Sequence, residues 1–87
     1  MSRGLEENPV FGHWSGPVYV RIGHGSSETI DNAGSALRFL TLRWPTERGE
    51  KYNLACIVCA NALERRASPE EAKEAFIAAA IEAYVLA

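Results

Sequence analysis

The chain has 87 residues, 47% of them apolar and 23% charged, which suits one globular domain and excludes both a second domain and a disordered polypeptide. Its formal charge of −2 provides no global attraction to nucleic acid or an anionic membrane. No apolar run approaches the roughly 18 residues of a membrane span, and the opening MSRGLEENP lacks the apolar stretch of a secretion signal, so the expectation is a cytoplasmic protein with no membrane partner.

Residues 1–16 read as a polar leader, flexible or partly ordered, and 17–87 as a single α+β domain. From Pro17, Val18, Val20 and Ile22 alternate with Tyr19 and Arg21, the period of a half-buried strand. Gly23-His24-Gly25-Ser26-Ser27 is dense in turn formers, and Glu28-Thr29-Ile30 is short and β-favourable. Two extended runs with a local connection predict an antiparallel hairpin. Val10–Trp14 is a candidate third strand, weakened by Gly12 and Gly16. A lone hairpin is marginal in water, so Val18, Val20, Ile22 and Ile30 are expected to rest on the helices.

After Ile30 the period changes. Asp31 or Asn32 is placed to cap a helix, and Ala36, Leu37, Leu40 and Trp44 recur at helical spacing, with Phe39 and Leu42 widening the stripe. Pro45 ends it. A second helix is predicted from about Glu50 to Arg65, with a stripe of Tyr52, Cys56, Cys59 and Leu63. Leu54 and Ile57 lie off that stripe, so the helix is apolar around much of its circumference, and such helices are usually central and covered on two sides. Ser68-Pro69-Glu70-Glu71 predicts a capping box with proline at the first helical position. The third helix then runs to about Tyr84, with Ala72, Ala75, Phe76, Ala79, Ala80 and Ala83 inward. The architecture expected is a hairpin packed on a three-helix C-terminal bundle.

The words Arg43-Trp44-Pro45-x-x-Arg48-Gly49-x-x-Tyr52, Cys59-x-x-Ala62-Leu63 and Ser68-Pro69-Glu70-x-Ala72-x-x-Ala75-Phe76-Ile77-x-Ala79-Ala80 follow in order, after Pro17-Val18-x-Val20. In this the chain resembles domain-of-unknown-function family 982, small proteins of alphaproteobacteria, chiefly rhizobia, over roughly residues 10–85. Two positions depart from the expected pattern: Arg65 stands where glycine is expected, and Lys73 where arginine is. The resemblance supports the fold class and implies no activity, cofactor or catalytic residue.

Cys56-x-x-Cys59 invites a redox or metal reading, but both cysteines fall mid-helix among apolar neighbours, where a thiol is inert. Neither a second cysteine pair nor histidines at finger spacing accompany them. His13 and His24 have no identifiable catalytic partner. The Gly23–Ser27 segment joins two strands, whereas a phosphate loop opens a helix. Glu70 and Glu71 are explained by capping, and Glu74 and Glu82 by a solvated face. No catalytic, metal or cofactor-binding residue is therefore assigned.

The candidate interaction surface is Arg38, Arg43, Trp44, Arg48 and Lys51, where cations surround aromatic rings. Such a set can hold an acidic protein surface or stack bases and neutralise phosphates; equally, Trp44 can close the core while the cations are solvated. The leading expectation is a binding or regulatory module acting by contact with another macromolecule, a protein or a second copy of the chain. It rests on the lack of a catalytic constellation and on Leu42, Leu54, Ile57 and Ile81, more apolar surface than a small bundle covers. Nucleic-acid binding through 38–52 and an enzyme with an unidentified small pocket stay open as alternatives.

Overall fold

The structure, a computed structural model, describes residues 13–46 and 48–87. Val10–Gly12 of the candidate third strand lie outside the described residues. Strand β1 spans His13–Val20 and pairs antiparallel with β2, Glu28–Asn32, through Val18 opposite Ile30 and Val20 opposite Glu28. The pairing slips between His13 and Val18. The hairpin thus begins four residues before its alternation becomes visible at Pro17, and Trp14 joins the inward-facing set. Gly23, with φ of 60°, turns the connecting loop, a conformation glycine adopts without Cβ strain.

Helix α1, Ala33–Leu42, starts at Asn32, whose side-chain oxygen accepts the Ser35 N–H at 2.8 Å. The Asn32 side-chain amide in turn donates to the Asp31 carboxylate at 3.0 Å, which aims its oxygen at the helix. Of the two candidate caps, Asn32 is the one used. Helix α2 is Glu50–Leu63 and helix α3 is Pro69–Glu82. Ser68 and Glu71 close the expected capping box: the Glu71 N–H donates to the Ser68 hydroxyl at 3.0 Å, and the Ser68 N–H to the Glu71 carboxylate at 2.8 Å.

The first residue of α2 presents a different solution. Its cap position is Gly49, which has no side chain to accept a bond. Glu82, the last residue of α3, reaches across instead and accepts the N–H groups of Lys51 and Tyr52 at 3.3 and 3.2 Å. A Cβ on Gly49 would stand 2.5 Å from that carboxylate, so a side chain there would push the carboxylate off the cap, while the glycine's own φ of −99° requires no glycine. Glu82 is therefore a capping residue supplied from another helix, where the sequence suggested only a solvated face; its negative charge also suits the positive end of the α2 dipole.

Both α2 and α3 stop in the same way. Arg65, φ 64°, follows the cap of α2, and Tyr84, φ 60°, follows the cap of α3. The Arg66 N–H returns to the Asn61 carbonyl and the Arg65 N–H to Ala62; likewise Val85 returns to Ala80 and Tyr84 to Ile81. These are the paired bonds of the Schellman motif, which favours glycine at the left-handed position. After Tyr84 the chain reverses. Val85 plugs the core, and Leu86 pairs antiparallel with Val20, with bonds of 2.8 Å from the Arg21 N–H to Val85 and from the Ala87 N–H to Tyr19. The C-terminal residues thus occupy the edge of β1 that β2 leaves open.

The core is contiguous and gathers around Phe76 on α3. Trp14, Phe39 and Trp44 have ring centroids 5.7–6.4 Å from Phe76, and Tyr52 lies 5.9 Å from Trp44. Tilted and edge-on contacts of this kind are favourable beyond the area they bury. Val18, Val20 and Ile30 bury as expected, and Ile22 packs partly against them. The central helix is α3, which meets α2, β1, β2 and α1. This corrects the expectation that α2 is central: α2 packs chiefly on α3 and α1, burying Tyr52, Ala55 and Cys59, while Leu54 and Ile57 face outward. The alanines of α3 let neighbouring elements come close on several sides.

Candidate functional site

Trp44 follows the C-cap of α1 and turns inward. It is only 5% exposed, packed against Phe39, Tyr52 and Phe76. This corrects its place in the candidate interaction surface: it closes the core and offers no face for stacking a base. Burial has a cost, because the indole N–H groups of both Trp44 and Trp14 lack a hydrogen-bond partner among the described residues.

The four cations around it divide. Arg48 donates from Nε to the Pro45 carbonyl at 3.1 Å and from Nη2 to that of Trp44 at 3.3 Å, with its guanidinium 4.9 Å over the Tyr52 ring. It is a brace for the α1–α2 connection. Arg43 forms an ion pair with Glu28 of β2 and also lies 5.4 Å over Phe39. Arg38 is exposed on α1 and lines, together with Arg43, a cleft of about 410 Å³ between β2 and α1. Lys51 belongs to another groove, of about 450 Å³, between α2 and α3, with Leu54, Val58, Glu71 and Glu74. The structure thus brings Arg38 and Arg43 together, separates Lys51, commits Arg48 to backbone carbonyls and removes Trp44 from the surface.

The thiols are free. Cys59 is fully buried, with Sγ 4.0 Å from the Ala72 carbonyl oxygen, and burial, reinforced by the nearby Cys56, pushes its pKa up to about 12. A thiol held neutral in this way is a poor nucleophile and ligand. The Tyr52 hydroxyl donates to the Leu40 carbonyl at 3.0 Å, and burial, aided by Cys56 and opposed by Arg48, raises its pKa above that of an ordinary tyrosine. Among the described residues no group of three or more His, Cys, Asp or Glu side chains is placed to hold a metal ion. Glu70, assigned to capping, instead accepts the Ser15 N–H at 3.1 Å and ties β1 to α3.

Apolar side chains make up the remaining distinctive surface. Leu42 is 73% exposed, Leu54 50%, and Ile57 and Ile81 57% each. Leu54 and Ile57 are three positions apart, one helical ridge on the outward side of α2. Tyr84, which periodicity placed at the tail of a helix, is 94% exposed in its left-handed conformation, close in sequence to the half-exposed Leu86. Its exposure had no signal in the sequence, because periodicity cannot foresee where a helix reverses.

Comparison with known proteins places these features in a family context. The family model described as "Protein of unknown function (DUF982)" matches residues 16–87. The fold is similar to the NMR structure of the Agrobacterium tumefaciens protein Atu1219, with a TM-score of 0.73 and 27% sequence identity over 86% of this chain and 75% of that one. A comparison with curated proteins returns no match. No helix among the described residues is long and apolar enough to cross a membrane.

Proposed function

From the premise that the chain belongs to the DUF982 family of proteins of unknown function, we propose that it is a small cytoplasmic binding module that works by contact with another protein, through the outward face of α2. The observation that carries this reading is the exposure of Leu54 and Ile57 on a helix whose opposite side already fills the core. A domain this small has few interior positions for branched apolar side chains; those that stand on one outward ridge are the signature of a contact surface. Leu42 and Ile81 add apolar area elsewhere on the bundle. Self-association is one form the contact takes if the ridge is self-complementary.

The test is sedimentation velocity at micromolar concentration, alone and after affinity capture from the source cytoplasm, for the native chain and for Leu54→Glu/Ile57→Glu. The native chain is expected to sediment as an assembly or to retain a discrete partner, and the double variant to run as a folded monomer without it. A native chain that is strictly monomeric and retains nothing overturns the reading. The burial of Trp44 and the commitment of Arg48 to backbone carbonyls weigh against nucleic-acid binding through residues 38–52.

A further inference from the structure

We propose that the cleft between β2 and α1 takes an extended acidic peptide segment of a partner protein, which adds to β2 as a further strand. The proposal rests on the reading of the chain as a protein-contact module, but it uses a site separate from the ridge on α2.

Three successive residues, Glu28, Thr29 and Ile30, line the cleft. Glu28 and Ile30 share one face of the strand and Thr29 the other, so a cleft that all three border runs beside the strand's backbone as well as its side chains. The outer edge of β2 is the open one. β1 is flanked by β2 on one side and by the C-terminal residues around Leu86 on the other, and no described residue pairs with the outer side of β2. An open edge presents unpaired N–H and C=O groups, a template for a further strand. Five residues of β2 give about 17 Å of edge, room for a short segment and too little for indiscriminate sheet extension.

The opposite wall selects the occupant. Arg38 and Arg43 of α1 and its cap line the cleft, whose one acidic group, Glu28, is already paired with Arg43. One cation is left in excess, which favours carboxylate side chains. Leu42, also in the lining and 73% exposed, supplies an apolar contact for an alternate side chain. Main-chain bonds to a strand edge give affinity, and side-chain contacts on alternate residues give specificity.

The test uses the full chain and a fluorescein-labelled octapeptide alternating valine and glutamate, followed by fluorescence anisotropy and by amide chemical shifts. Binding is expected, with shifts concentrated at Glu28–Ile30 and along α1. Arg38→Glu is expected to weaken it about tenfold, as is replacing glutamate by lysine in the peptide. N-methylation of alternate peptide amides, in the register that faces β2, is expected to weaken it at least as much, since that change removes main-chain bonds and leaves the charge. No binding at millimolar peptide, equal binding of the N-methylated peptides in both registers, or shifts confined to α2 would each overturn strand addition. Leu54→Glu/Ile57→Glu is expected to retain peptide binding, so that loss of this site and loss of the α2 contact surface are told apart.

Discussion

At Arg65 and Tyr84 an L-residue holds a backbone conformation that glycine adopts more cheaply, with φ near 60° in both. The left-handed region costs a non-glycine residue roughly 1–2 kcal/mol, part of which glycine gives back as entropy in the unfolded chain. Arg65→Gly and Tyr84→Gly are each expected to raise stability by about 0.5–1 kcal/mol, read as a rise of a few degrees in the thermal midpoint; a fall in either variant would show that the side chain contributes more than the strain. Strain retained at a fully exposed aromatic is also the kind of local cost found at functional positions, which makes Tyr84 the residue to watch when a partner is bound. For Cys59 the direction with pH is set by its raised pKa. Above the ordinary thiol pKa near 9 the unfolded chain releases this proton while the folded chain keeps it, so the folded state binds more protons and stability falls as pH rises from about 9 toward 12. Chemical denaturation across that range is expected to show a declining midpoint, flattened in Cys59→Ala; an equal decline in that variant would assign the effect elsewhere. Ellman's reagent is expected to leave Cys59 unmodified in the native chain. Residue-level legibility was uneven: the mid-helix position of the cysteines and their apolar neighbours already indicated burial, which is complete for Cys59 and partial for Cys56, whereas the fate of Trp44 depended on Phe76, a residue the sequence cannot place beside it.

Among the elements, α2 is held at its start by a carboxylate from the end of α3. Removing a helix cap costs about 1 kcal/mol in typical cases, so Glu82→Ala is expected to destabilise by that amount. Gly49→Ala is expected to do the same by displacing the carboxylate, and the two losses should not add, since both remove one interaction. Additive losses in equilibrium denaturation would contradict the shared cap. The Ser68–Glu71 box was legible because both partners lie within four residues; the Gly49–Glu82 cap was not, because nothing local links positions so far apart. The orientation of α2 was hidden for a related reason. A helix apolar on most sides carries no periodic signal for which side is covered, and the choice falls to the alanine-rich surface of α3. The hairpin, by contrast, announced itself through alternation, and only its first four residues were obscured by Gly16 and Pro17.

For the molecule as a whole, the C-terminal residues cover the edge of β1 that faces away from β2: Val85 enters the core and Leu86 bridges to Val20. Deleting residues 85–87 is expected to cost about 2–3 kcal/mol, from the buried valine and the pairing it anchors, and to open a second strand edge; an unchanged denaturation midpoint would show the tail to be dispensable. The number and order of elements could be read from periodicity, but the tail could not, because three residues after a helix cap carry no pattern. What finally distinguishes the molecule is an apolar ridge that its own fold leaves uncovered. Photo-crosslinking in the source cell addresses that ridge directly, with a benzophenone amino acid at Ile57 and, as reference, at the exposed Thr41 of α1. One discrete adduct from position 57, lost when Leu54 is changed to glutamate, is the expected result. No adduct at 57, or the same diffuse adducts from both positions, would contradict a protein contact through α2.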